Sequence, residues 1–520
     1  MTTSSTALST GRVVIVGAGL GALYAALSLA PRPVVLISPE PLGLGASSAW
    51  AQGGVAAAMA EADSPADHAA DTEAAGAGLV SQEVARVVTE AAPGHILALT
   101  DLGTPFDRTP DGGYVLSREA AHRLARVVRV RGDRAGAEIM AALIERVRAC
   151  ASVQVLEGCA ATRLLTGGGR VTGVALRDVA TPSGEVELVA PAVLLAAGGA
   201  GGLYALTTNP PRIRGEAMGM AARAGAVIAD AEFVQFHPTA LDVGEDPAPL
   251  ATEALRGAGA VLVNDAGERF MEAVHPDAEL APRDVVARAI FAETIAGRRP
   301  RLDCRPAFAR EGAATFPTIL AACARNGIDA EAAPIPVAAA AHYHMGGVET
   351  DLSGRSSLPG LWVCGEAAST GLHGGNRLAS NGLLEALVFA ARATADIARA
   401  VPGGDAPALD LAFPPDDLPA PNPAAMAALR RIMTEQVGVV RDGAGLTAAL
   451  DGIARLASRE ADPALANSLA AATLIAAAAL RREESRGAHF RSDFPEMSGA
   501  ARRSRLTLAE ARALRDGVAA

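Results

Sequence analysis

Five short stretches of this chain concentrate side chains able to grip a small acid. They read Gln235-Phe236-His237-Pro238-Thr239, Thr252-Glu253 with Arg256-Gly257, Pro282-Arg283-Asp284, His342-Tyr343-His344-Met345-Gly346-Gly347, and His373-Gly374-Gly375-Asn376-Arg377. A planar guanidinium holds a carboxylate through two parallel hydrogen bonds, and His and Thr add further donors. Two such grips facing each other would fix a dicarboxylate in one orientation. Taken singly, each residue has an ordinary reading, since most arginines are solvated and most histidines are structural. Their recurrence beside turn-forming glycines favours a site, although spacing alone does not establish that they converge. His237, His342 and His344 lack supporting carboxylates or a cysteine pair, so no metal is expected.

A second chemistry is written near the N-terminus. Val13-Val14-Ile15-Val16 reads as a buried strand and runs into Gly17-Ala18-Gly19-Leu20-Gly21-Ala22, a G-x-G-x-x-A pattern. Small residues there let the backbone approach a pyrophosphate at the positive end of the following helix. The acidic residue that bonds an NAD ribose about 20 positions later is absent, and Ser38 stands in its place. A hydroxyl still bonds a ribose, so a dinucleotide is expected, with NAD less favoured. The glycines at 198 to 202 end in Leu203-Tyr204, too bulky for a second fingerprint. One permanently held dinucleotide is the simpler reading. Ser47-Ser48-Ala49-Trp50-Ala51-Gln52-Gly53-Gly54 is either a polar loop or part of the same site.

The elements that must position these groups follow from length and pattern. With 520 residues, 50% apolar and 20% charged, the chain calls for two or three globular domains. A net charge of −11 and a pI near 5.4 argue against nucleic acid or an anionic membrane as partner. All 46 basic residues are arginine, which excludes Schiff-base lysine chemistry and a P-loop lysine. Five cysteines without a C-x-x-C pair read as reduced and cytoplasmic. Val13 to Ala30 could pass for a signal-peptide core, but its glycines and the apolar Val34 to Ile37 suit a βαβ unit better.

Residues 1 to about 11 are expected to be disordered. Helix should dominate from Asp67 to Ala149, and Val153 to Arg177 should form a hairpin turning at Gly167-Gly168-Gly169. Further strands are expected at Ala192 to Ala197 and Leu361 to Cys364. Val401 to Pro423 holds seven prolines in 23 residues and reads as a linker. Met426, Leu429, Met433, Val437 and Val440 recur at helical spacing beyond it.

In order, these motifs resemble the succinate dehydrogenase/fumarate reductase flavoprotein family, most closely its aspartate-oxidising branch. The resemblance covers nearly the whole chain. It rests on A-Q-G-G at Ala51, Q-F-H-P-T at Gln235, T-E-A-L-R-G at Thr252, P-R-D-V-V-A-R at Pro282, H-Y-H-M-G-G at His342, N-R-L-A-S-N at Asn376 and E-S-R-G-A-H at Glu484. It implies an α/β fold: a Rossmann-like FAD-binding domain (12–230 and 342–400), an inserted α+β capping domain (231–341), a linker (401–423) and a C-terminal helical bundle (424–520).

The resemblance further implies FAD held by Gly17, Ala18, Gly19, Leu20, Gly21, Ser38, Ser47, Ser48, Gln52, Gly53, Gly54, Ala160, Ala161, Glu216, Glu366, Gly382 and Leu383. Membrane-complex relatives carry a FAD-linked histidine where Ser47 stands, so non-covalent FAD is implied. Gln235, His237, Thr252, Glu253, His342 and Arg377 would bind the substrate, and Arg283 would transfer a proton. Glu119, in Ser117-Arg118-Glu119, would pair with a substrate ammonium; the less favoured reading is a helix N-terminal glutamate stabilised by the dipole. The implied reaction is oxidation of L-aspartate to iminoaspartate, with oxygen or fumarate as acceptor, opening NAD biosynthesis, with quinolinate synthase a possible partner. A soluble fumarate reductase is the alternative, and a flavin-carrying module without catalysis is a third reading. Ala120-Ala121, Ala258, Glu216 and Gly382 depart from the usual residues, which puts the flavin contacts in question.

Overall fold

The computed structural model describes residues 6–181, 184–414, 422–459 and 462–516. The apolar run Val13–Val16 (β1) is buried along its whole length and leads into the helix Leu20–Ser28 (α1). β1 pairs in parallel with Val34–Ser38 (β2), which pairs in parallel with Val153–Glu157 (β3). On the other side of β1 lie Val193–Leu195 (β4) and then Leu361–Val363, also parallel. β1, β2 and β4 read as continuous Val/Ile/Leu runs because both faces of a parallel sheet are covered.

The same sheet separates β3 from the expected hairpin. Only Cys159–Gly167 and Arg170–Asp178 pair as a hairpin. Thr6–Ser9 is a strand, paired in parallel with Val186–Val189. The expected disorder of residues 1 to about 11 does not hold for this strand, because the backbone there finds a sheet edge and Leu8 packs on the core, while residues 1–5 lie outside the described residues. Helices Pro65–Ala75, Gln82–Asp101 and Ala135–Ala149 fill the region from 65 to 149. Between the last two lie Leu116–Ser117 and Val127–Val128, which form a small sheet with the earlier Val55–Ala56, its strands too short to leave a periodic signal.

The inserted region has its own antiparallel sheet. Val234–Leu241 (β5) pairs with Ile335–His344 (β6), which continues to Arg301–Asp303 and Val261–Val263. β5 is buried throughout, with register shifts after Gln235 and His237; such shifts re-aim side chains. The short helix Glu253–Gly257 (α2) and the longer Arg283–Ile295 (α3) border this sheet. A separate apolar cluster around Leu255, Ile290, Ile319 and Ile335 forms its core.

After the cap the chain returns to the first domain as Asn381–Ala400 (α4), which packs along α1. Residues 402–414 of the proline-rich segment form no helix or strand, but they lie against the first domain. Arg12 donates to the Pro407 carbonyl at 2.8 Å, and Gln154 to that of Leu409 at 2.7 Å. The rest of that segment, 415–421, lies outside the described residues. Among the described residues four helices follow, one of them Pro463–Arg481 (α5). α5 is the one helix among the described residues long and apolar enough to cross a membrane, yet most of it is buried inside the protein.

Candidate active site

A cavity of about 770 Å³ opens where β1 meets α1 and extends to the edge of the cap. Gly17, Ala18, Gly19, Leu20, Gly21, Ser38, Ser47, Ser48, Gln52, Ala160, Ala161, Glu216, Glu366, Gly382 and Leu383 all line it. At Gly17 the backbone has φ +119°, and a Cβ would stand 2.3 Å from the Ala196 carbonyl oxygen. No other residue fits. Gly19 caps α1 without a side-chain bond, which leaves helix N–H groups free for an anion. The Ser48 hydroxyl accepts from the Leu20 N–H at 3.1 Å, and that of Ser47 donates to Asn209 Oδ1 at 3.1 Å. At the far end, Ser38 donates to the Glu40 carbonyl and Arg212 pairs with the Glu40 carboxylate at 2.8 Å.

The cavity fits a flavin dinucleotide. Gln52 donates to the Leu250 carbonyl at 2.9 Å, while its buried Oε1 has no protein partner. A buried acceptor left unpaired is costly, and a flavin ring N–H is the donor it lacks. Glu366 and Glu216 are each pushed up to about 7 by burial. Gly53 and Gly54 do not themselves line this cavity. Gly53 lies against the Glu119 carboxylate and Ser380, and Gly54 against the Val128 backbone.

The departure at Gly382 also has a steric basis. A Cβ there would meet the Tyr343 ring at 2.9 Å and Arg377 Nη1 at 3.4 Å. Tyr343 occupies the space a larger residue would need, and its ring faces the Arg377 guanidinium with 4.5 Å between guanidinium carbon and ring centroid.

At the inner end of the cavity the acid-gripping residues come together. One atom organises them. Gln235 Oε1 accepts from Arg283 at 3.1 Å and from Arg377 Nε and Nη2 at 3.2 and 3.1 Å. The Gln235 amide nitrogen donates to Asn376 Oδ1 and to the Arg377 carbonyl at 2.8 and 2.9 Å, which fixes its oxygen toward the two guanidiniums. β5 supplies Gln235 and His237, α3 begins at Arg283, and the loop before α4 supplies Arg377. The His237 and His342 rings meet edge to face, 5.0 Å between centroids. Thr208 bonds His342 Nδ1 at 2.8 Å, and the Thr239 N–H bonds His237 Nδ1 at 3.2 Å. Thr252 caps α2 by accepting from the Ala254 N–H at 3.4 Å.

Charge is handled unevenly across the cluster. Glu253 bridges Arg283 (Nε, 2.5 Å) and Arg256 (Nη2, 2.7 Å), all three buried. Burial alone would raise its carboxyl, but Arg283 and Arg256 outweigh that and hold it at about 2. Both histidines stay neutral, pushed well below their usual range by burial, with Arg283, Arg256 and Arg377 adding to this at His237. Burial, with Arg283 beside it, lowers Arg377 to about 10. Glu119 is shifted the other way, raised by burial and by Glu253. It sits in a loop after the short strand Leu116–Ser117, not at a helix N-terminus, which removes the dipole reading. Its carboxylate accepts from the Ser380 hydroxyl at 2.9 Å.

Tyr343 and Ser380 were given no role from the sequence, and Arg256 was named there only among the acid-gripping stretches, not as the partner of Glu253. Arg256 had a signal, since Glu253 and Arg256 at i, i+3 on one short helix face each other. Tyr343 and Ser380 had none, because both act through contacts distant in sequence. His344 turns away from the site, bonding the Ala231 carbonyl at 2.9 Å. Among the described residues, no group of three metal-ligating side chains exists.

Comparison with known proteins agrees with this geometry. The family model for an FAD binding domain matches residues 12–383, and that for a fumarate reductase flavoprotein C-terminal domain matches 460–515. A variant FrdA subunit of Escherichia coli quinol fumarate reductase superposes with a TM-score of 0.85 at 27% identity, covering 96% of this chain and 94% of that one. The fold and site are thus those of an FAD-dependent flavoprotein of the fumarate reductase type. The chain is 54% identical to an L-aspartate oxidase of Caulobacter vibrioides, covering 95% of this chain and 96% of the relative. It is 48% identical to one from Mesorhizobium japonicum, covering 96% and 95%. The chain belongs to the L-aspartate oxidase family.

Proposed function

We propose that this site oxidises L-aspartate to iminoaspartate while holding FAD non-covalently, and that Glu119 makes it an amino-acid oxidase rather than a succinate or fumarate enzyme. The observation that carries this reading is the shared Gln235 oxygen, which brings Arg283 and Arg377 to one point beside two neutral histidines. Two guanidiniums gathered there beside uncharged donors, with Glu253 pairing only Arg283 of the two, suit a carboxylate at each end of a four-carbon acid. FAD, when bound, supplies the hydride acceptor for the substrate α-carbon.

The chain's own residues do the rest. Arg377, His342, His237 and Thr252 would hold the carboxylates, and Glu119, the acidic group nearest Ser380, would take the ammonium. Fixing both ends supplies orientation, worth up to about 7–11 kcal/mol of a barrier. Arg283 would deliver a proton when fumarate is reduced, and the carboxylate of Glu253 links it to Arg256 for reprotonation. Electrons would leave to oxygen or fumarate. An imine product hydrolyses in water, which favours prompt use by a quinolinate synthase, opening NAD biosynthesis. Five free cysteines with no disulfide among them support a cytoplasmic setting.

A soluble fumarate reductase remains the second reading, favoured by the structural neighbour. Anaerobic addition of L-aspartate to the purified FAD-loaded chain separates them. Loss of the visible flavin absorbance is expected; an unchanged spectrum with aspartate, but reoxidation of chemically reduced protein by fumarate, would refute amino-acid oxidation.

A further inference from the structure

Behind Glu119 lies a polar cluster that no step above uses. His122 is buried, and its Nε2 stands 3.0 Å from the Ala379 carbonyl, while its Nδ1 stands 3.4 Å from Arg126 Nη1. Arg126 is fully buried and pinned by Asp63 and Asp71 at 2.9 and 2.5 Å. A guanidinium only donates, so Nδ1 is the acceptor and Nε2 carries the proton. The Nε2–H therefore donates to Ala379. That carbonyl directly precedes Ser380, whose φ of +62° is unusual for a residue with a side chain and aims its hydroxyl at Glu119. The Ser380 carbonyl is held in turn by the Ala56 N–H at 3.2 Å. On the other strand of the circuit, the His122 N–H bonds the Glu119 carbonyl at 3.2 Å across a tight turn with Ala121 at φ +65°.

We infer that His122 is a positioning residue for substrate-amine recognition: through the Ala379 carbonyl it sets the Ser380 hydroxyl, which in turn aims the Glu119 carboxylate. The circuit Glu119–His122–Ala379–Ser380–Glu119 closes without passing through any carboxylate-gripping residue. Its loss should therefore tell on the ammonium and not on the two carboxylates. A left-handed residue is retained only where its surroundings over-determine it, and His122 and Ala56 are what hold Ser380. The inference rests on Glu119 being the ammonium partner.

The test compares two substrates that differ in the amine, L-aspartate oxidised and fumarate reduced, in FAD-loaded His122→Ala, His122→Gln, Ser380→Ala and Glu119→Gln. Losing a hydrogen bond to a charged group corresponds to about a tenfold change or more. His122→Ala and Ser380→Ala should raise KM for aspartate by about that factor relative to KM for fumarate. His122→Gln, whose amide N–H reaches the same carbonyl, should restore the ratio. Succinate Kd, read from the flavin spectrum, should stay close to that of the parent, which a merely structural defect would not allow. An equal loss on both substrates, or no rescue by Gln, overturns the role of His122. If Glu119→Gln discriminates and His122→Ala does not, only this inference falls; if Glu119→Gln itself leaves the ratio unchanged, the reading of Glu119 falls first.

Discussion

At the cofactor end, Gly17, Gly19, Ala161 and Gly382 offer backbone and open space to a cavity of about 770 Å³. At the substrate end, Glu253, Arg256, Arg283 and Arg377 press four buried charged groups together around Gln235. Backbone N–H groups at a helix start bind an anion with whatever side chains surround them, so the cofactor end tolerates exchange. Buried charges tolerate none, since each is stable only with its partner in place. The difference teaches that the departures around the flavin are compensated locally, whereas the substrate cluster behaves as one unit.

Substitutions can break or sharpen that contrast. Arg283→Lys should cost the most, lowering kcat for fumarate reduction by about 10²–10⁴-fold with flavin content unchanged, as read by steady-state kinetics and absorbance. A smaller loss would mean that a point charge replaces the fork. Glu253→Gln comes next, leaving Arg256 and Arg283 unpaired and costing about 3–5 kcal/mol in denaturant unfolding. The same carboxyl carries a pH signature. Its pKa is depressed on folding from 4.5 to about 2, so its stabilisation is present above about pH 4.5 and is lost as pH falls toward 2. Acid unfolding of the parent should steepen over that window, and that of Glu253→Gln should not.

Gly382→Ser should cost less, about 1–3 kcal/mol of overpacking, because its Cβ meets the Tyr343 ring. Pairing it with Tyr343→Ala should recover part of the melting temperature. Ser48→Ala is the mildest, weakening FAD retention by about 1 kcal/mol, measured by flavin titration of the apoprotein. If Ser48→Ala instead abolished FAD binding, the cofactor end would depend on side chains after all, and the contrast would fail.

Local pattern sufficed for the parallel sheet and the glycine turn at Gly17, because each is settled by neighbours in sequence, whereas the cofactor-wall residues as far as Leu383 followed only from the family resemblance. It was blind to the two-residue strands that flank the Glu119 loop, too short for any period, and to Thr6–Ser9, whose partner lies far along the chain.

What the sequence by itself determined was the chemistry available: a dinucleotide turn, two carboxylate-gripping arginines, neutral donors and one candidate acid for an amine. The tertiary structure alone decided that Arg283 and Arg377 share one amide oxygen, that His344 turns away, and that His122 reaches Ala379. Those outcomes depend on residues as much as 257 positions apart, and only the packing of the inserted region against the rest of the chain sets their distances.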